Sequence, residues 1–190
     1  VGSSLDKKQS VAMNILEYAI MDAPGAPLKK ALVDAGIGED VFASFDDGIR
    51  QTIFSIVARN ANMSDKERFV SVIRDTLTDL SGHGEEGKAI DRTSIEAAIN
   101  NFEFKHKEAN FGRFPKGLMM GLDAFNTWLY DDASALEMFK LNEVYDELKE
   151  SLKTGYFEEL IWEKLVQNTF GMIFVMKPKK GLDKENDAAE

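Results

Sequence analysis

Residues 52–58, Thr-Ile-Phe-Ser-Ile-Val-Ala, set the tightest limit on what this chain can fold into. Read as a strand, the run puts Ile53 and Val57 on one face and Phe54 and Ile56 on the other, so neither face suits water. Such a strand belongs inside a sheet covered on both sides or inside a larger assembly. The preceding residues alternate, Val41-Ala43-Phe45 against Phe42-Ser44-Asp46, and Asp47-Gly48 offers a turn, so 41–59 reads as an antiparallel hairpin.

Helical spacing governs most of the rest. Val11, Ala12, Ile15, Leu16 and Ala19 form one buried face between about Asp6 and Met21. Prolines 24 and 27 and Gly25 end that helix, and Pro27 suits the first turn of the next, carried by Leu28, Ala31, Leu32 and Ala35 and closed by Gly36. Ser64 is an N-cap candidate for a helix bearing Phe69, Val72, Ile73, Leu77 and Leu80. Residues 81–87, with three glycines, read as a loop. Asp91 then caps a helix with the stripe Ile95, Ala98, Ile99, Phe102, His106 and Ala109.

From Pro115 to Leu129 the apolar residues run almost all round, leaving Asp123, Asn126 and Thr127 as the clearly polar positions. A helix of that kind should be enclosed. An amphipathic stretch follows from about 133 to 152. After Thr154-Gly155 comes a helix marked by Tyr156, Phe157, Leu160, Ile161 and Leu165. Met172-Ile-Phe-Val-Met176 reads as a buried strand closed by Pro178 and Gly181. The sum is α+β: a helix-rich two-layer domain over 1–182 with a mainly antiparallel sheet, followed by a polar tail over 183–190. Three strands are few for so much apolar strand surface, which suggests a piece of something larger; the opening Val1-Gly2-Ser3-Ser4 in place of Met points the same way.

The chemistry open to the chain is narrow. It has no cysteine, which removes disulfides, thiolate metal ligands and thiol catalysis and fits a reducing compartment. Its two histidines, His83 and His106, are too far apart to write a hydrolytic zinc motif. Glu103 and His106 make one Glu-x-x-His pair, better read as part of a packed helix with His106 hydrogen-bonded in the core. No serine has a nucleophile-elbow glycine pattern. The glycines of 81–87 are mixed with acids where a phosphate would sit. No catalytic, cofactor-binding or metal residue is therefore assigned.

Lys plus Arg total 23 against 33 Asp plus Glu, a net charge of −10 with no basic face, so neither nucleic acid nor an anionic membrane is an expected partner. Arg113 and Lys116, at the start of the Pro115 helix, are the candidate weak anion contacts. They could hold an acidic group of a substrate, or serve structurally by bonding the preceding helix's last carbonyls or pairing with Asp131 and Asp132.

Three segments carry a resemblance: DAPGAPLKKALVDAGIGEDVFASFDDGIRQTIFSIVARNAN (22–62), EANFGRFPKGLMMGLDAFNTWLYDD (108–132) and TGYFEELI (154–161). With them the chain resembles the presequence-protease branch of the insulinase/pitrilysin-type zinc metallopeptidases, from about residue 10 to 182. Asn110, Phe114 and Asn126-Thr127 stand where that family usually has Asp, Tyr and Asp-Ser.

The resemblance implies the second, non-catalytic domain of the N-terminal half, with the metalloprotease-half fold of the mitochondrial processing peptidase type, and a tail that starts the linker between halves. It implies a parent zinc metalloendopeptidase whose zinc is bound outside this chain. The remaining domains of that peptidase would be the partners, and unfolded peptides the substrate of the whole. It also implies that the helix from Pro115 is interior, packed between sheet and helices, with Arg113 and Lys116 fastening its start. By itself the chain should be inactive, and the setting cytoplasmic, or an organelle matrix in a eukaryote. A stand-alone helical adaptor that binds a protein partner is the alternative.

Overall fold

The computed structural model describes residues 1–182 apart from Glu86, Asn110 and the side chain of Met138. The expected polar tail, 183–190, and the Asn110 position lie outside the described residues.

The helix nearest the centre is α1 (Lys7–Glu17), continued by a π-helical turn at Tyr18–Asp22. Asp6 caps it by accepting from the Gln9 amide. Ala12, Met13, Ile15, Leu16, Ile20 and Met21 are fully buried, so α1 is enclosed on more of its circumference than the 11-12-15-16-19 stripe indicates. Around it pack the hairpin, α4 (Arg92–Glu108) and α6 (Leu141–Ser151). Helix α2 (Pro27–Asp34) begins with Pro27 in its first turn and adds Leu28 and Leu32 to the core. Gly36 follows at φ 67, a left-handed conformation that glycine adopts without a Cβ clash.

The hairpin pairs β2 (Asp40–Asp46) with β3 (Gln51–Arg59), from Asp40↔Arg59 to Asp46↔Ile53. A two-residue strand, β1 (Gly2–Ser3), pairs with β3 on its other side, giving the order β1-β3-β2, all antiparallel. Ala43, Phe45, Phe54, Ile56 and Ala58 face the helices and pack on the core. The opposite face carries Ile53, half exposed, and Phe42, whose ring lies under the Arg59 guanidinium at 4.7 Å. The expected two-faced cover of β3 is thus met on one face within this chain.

Helix α3 (Lys66–Leu80) follows a 3-10 turn at Met63–Asp65, so Ser64 sits inside that turn and caps nothing. Asp91 does cap α4, accepting from the Thr93 and Ser94 amides. α4 ends on Ala109 in the left-handed region, φ 44. Beyond α6, Gly155 at φ 77 turns the chain into α7 (Tyr156–Ile161) and a further π-helical turn, Trp162–Val166. One hydrophobic cluster joins residues of α1, α2, β2, α3, α4, α6 and α7, and the architecture is α+β and helix-rich, as read.

Two expectations fail. The helix from Pro115, α5 (Lys116–Trp128), buries only Ala124 and Thr127, and packs chiefly on the 3-10 turns that follow it, Asp132–Ser134 and Glu137–Lys140. It is peripheral; α1 holds the interior place. Met172–Met176, expected as a buried strand, has no β-partner among the described residues, takes no regular secondary structure and lies exposed. A strand needs a ladder to satisfy its amides away from water, and among the described residues no ladder is built on this segment.

Candidate functional site

Among the described residues no constellation of acid, base and nucleophile forms. Glu103, half of the Glu-x-x-His pair, is held by Lys107 one turn on and by Lys149 of α6, each at 2.5 Å. Those bonds, first from Lys107 and then from Lys149, keep its carboxyl below the usual range. Its oxygens are committed to two ammonium groups. His106 is half-buried, tilted against the Tyr145 ring at 5.9 Å, and no hydrogen bond reaches it among the described residues. The hydrogen-bonded core histidine expected from the stripe is therefore a ring contact instead; burial holds its pKa below the ordinary value.

His83 lies elsewhere, stacked on Trp162 with centroids 4.0 Å apart and its Nδ1 3.2 Å from the Ser81 Oγ. That serine already donates to the Thr78 carbonyl at 2.7 Å, which makes the pair a loop fastening. Among the described residues no three His, Asp or Glu side chains gather so as to hold a metal ion. The donor set does not fit the zinc that the resemblance implies for the parent.

Arg113 and Lys116 are both exposed and make no ion pair or hydrogen bond among the described residues. The acids they were expected to meet are engaged otherwise. Asp131 accepts from the Ala133 amide and the Ser134 hydroxyl, and Asp132 accepts from the Trp128 indole at 3.2 Å. Among the described residues no bond from these two cations fastens the helix start. The Thr127 hydroxyl is buried and donates to the Ser134 carbonyl at 2.8 Å.

What the fold does assemble is uncovered apolar surface. Leu118, Leu122, Phe125 and Leu129 recur at four- and three-residue steps along α5, and all are exposed, Leu129 by 69%. Trp128 stacks on Phe125 at 5.5 Å beside them. Phe114, Leu136 and Phe139, near its ends, are exposed as well. A stripe at this spacing is the sequence signature of a helix face that packs on something. Residues 172–176 form a second exposed apolar tract, with Phe174 and Met176 more exposed than Ile173 and Val175. Contiguous apolar surface of this kind marks a contact with another body. The sequence signal for it was present, since both segments are too apolar for water; what covers them is not written in the chain.

Among the described residues no helix is long and apolar enough to cross a membrane. No family model matches the chain. It is similar over 99% of its length, at 35% identity, to Protein HypA of Clostridium perfringens. Over 92% of its length it is 30% identical to Presequence protease 1, chloroplastic/mitochondrial, of Arabidopsis thaliana, and over all of it 26% identical to Presequence protease, mitochondrial, of Danio rerio. It spans only 19%, 16% and 18% of those three proteins' lengths. Taken with the α+β fold, these matches show that the chain is related, over nearly its whole length, to a segment of the presequence proteases.

Proposed function

We propose that this chain is a non-catalytic region of a zinc-dependent metalloendopeptidase that degrades peptides, and that it forms part of the wall enclosing the substrate. The exposed stripe of α5 carries the reading: a helix that presents Leu118, Leu122, Phe125 and Leu129 to water in isolation is built to be covered by another part of a larger protein. Relatives of whose length the chain spans only 16% and 18%, named as proteases, supply the class of that protein. The zinc and the hydrolytic residues would come from the rest of the parent, in keeping with the committed carboxylate of Glu103 and the scattered histidines. Arg113 and Lys116, without an ion pair among the described residues at the start of α5, would receive an acidic group of the peptide or of a neighbouring domain. A parent of this kind would work in a reducing interior such as the cytoplasm or an organelle matrix, on unfolded peptide and not on nucleic acid or membrane.

The test is cleavage of an unstructured peptide with zinc present. The full-length parent should turn it over, the 190-residue chain should not, and the Leu122→Glu, Leu129→Glu double variant should cut the parent's rate at least tenfold. A full-length protein without peptidase activity that captures one folded partner through α5 would replace this reading with that of an adaptor.

A further inference from the structure

β3 is paired along its length on one side only. Toward β2 the ladder runs unbroken from Ile53 to Arg59. Toward β1 it stops after Gly2↔Thr52 and Ser3↔Gln51, with the Ser4 amide donating to the Arg50 carbonyl at 3.1 Å. In an antiparallel ladder the residues that exchange bonds with one neighbour alternate with those that face the other. The Ser4–Arg50 bond assigns even-numbered residues to the β1 side, and the Glu39 amide on the Arg59 carbonyl, at 2.9 Å, assigns odd-numbered ones to the β2 side. The amides of Phe54, Ile56 and Ala58 therefore point at an edge with no partner among the described residues.

That edge has none of the devices that guard true edges. Residues 53–58 contain no charge, no proline and no bulge, and they are apolar on both faces. Composition makes β3 an interior strand.

We propose that a β-strand of the parent polypeptide, continuous with β1 and running into it ahead of Val1, occupies this edge and makes β3 fully central. The inference rests on the reading of the chain as part of a longer peptidase. Continuity selects the occupant. β1 already runs antiparallel to β3 at the right spacing, and its register dictates the rest: the residue before Val1 faces Phe54, the second before it faces Ser55, and so on toward Arg59. A bound substrate peptide or a second copy would have to displace or abut a ladder already begun by this chain.

Residue-resolved hydrogen–deuterium exchange on the 190-residue chain and on the full-length parent decides the matter. The amides of Phe54, Ile56 and Ala58 should exchange at least tenfold more slowly in the parent, while those of Ser55 and Val57, already held by β2, change less. Equal exchange in both overturns the proposal. So does protection that appears only with added peptide, or that grows with the concentration of the short chain. Register is checked by Ser55→Cys paired with a cysteine at the second residue ahead of Val1: cross-strand neighbours at a non-hydrogen-bonded position are near enough to close a disulfide. Moving the upstream cysteine by one residue puts it on the other face and should abolish the bridge. A parent that cleaves peptides but leaves this edge unprotected sinks the strand and spares the proposed function. A protected edge in a parent without peptidase activity does the reverse.

Discussion

The side-chain amide of Asn14 donates to the Asp47 carboxylate at 3.0 Å, tying the interior helix α1 to the turn of the β2–β3 hairpin. The same amide group also donates to the Ser10 carbonyl one turn back, which holds the side chain in place. A bond to a charged acceptor is worth about 1.5–3 kcal/mol. Asn14→Ala should lower chain stability by about 2 kcal/mol, and Asp47→Ala by a similar or smaller amount, with the double variant less than additive. Denaturant unfolding of the three variants measures the coupling.

Glu17, at the end of α1, has its carboxyl pushed up to about 7, first by burial and then by the nearby Asp22. Because the folded value lies above the ordinary one, the native state holds a proton that the unfolded chain releases. Its favourable contribution is complete at low pH and is lost as pH rises from about 4.5 through 7. Glu17→Gln should therefore be nearly neutral at pH 4.5 and stabilising at pH 8, by about 1–2 kcal/mol after allowance for partial solvation. Thermal melts at the two pH values check the sign; a Glu17→Gln gain confined to low pH would refute it.

Asp91 shows the opposite sign. Its carboxylate accepts from the Ser94 hydroxyl and from the Thr93 and Ser94 amides, and those bonds hold its pKa below the ordinary value, the Ser94 hydroxyl first. The stability it adds is present above the usual Asp pKa and is lost as pH falls below it. Asp91→Ala should lower the Tm by a few degrees at pH 7 through loss of the N-cap. The gap between the two proteins should narrow below about pH 4.

The apolar residues of α1 and α5 should answer differently to mutation. Leu16→Ala removes a fully buried side chain and should cost about 2–5 kcal/mol in the isolated chain. Leu122→Glu or Leu129→Glu, on exposed positions, should move stability by less than about 0.5 kcal/mol while improving solubility. Urea unfolding and a solubility assay on the same three variants separate the two classes. Leu129→Glu unfolding the short chain would mean that α5 is covered after all.

Local chemistry explains what could be read in advance. Asp91 as a cap, Pro27 at a helix start, Gly36 and Gly155 at turns, and the alternation of 41–46 each act within a few residues of chain, and each stands where the sequence indicated. The limit of that reading appears at Ser64, a sound N-cap residue that a 3-10 turn absorbed.

Apolar periodicity determined that α1, β3, α5 and residues 172–176 all need cover. It could not rank them, because a side chain's aversion to water is the same whichever body shields it. Only tertiary packing decided that α1 takes the centre, that β3 is sheltered on one face, and that α5 and 172–176 are left facing outward. The absence of a hydrolytic metal motif could be read from two distant histidines and no cysteine. That Glu103 is bound by Lys107 and Lys149, and that Arg113 and Lys116 meet no acid among the described residues, depended on which helices the fold brought side by side.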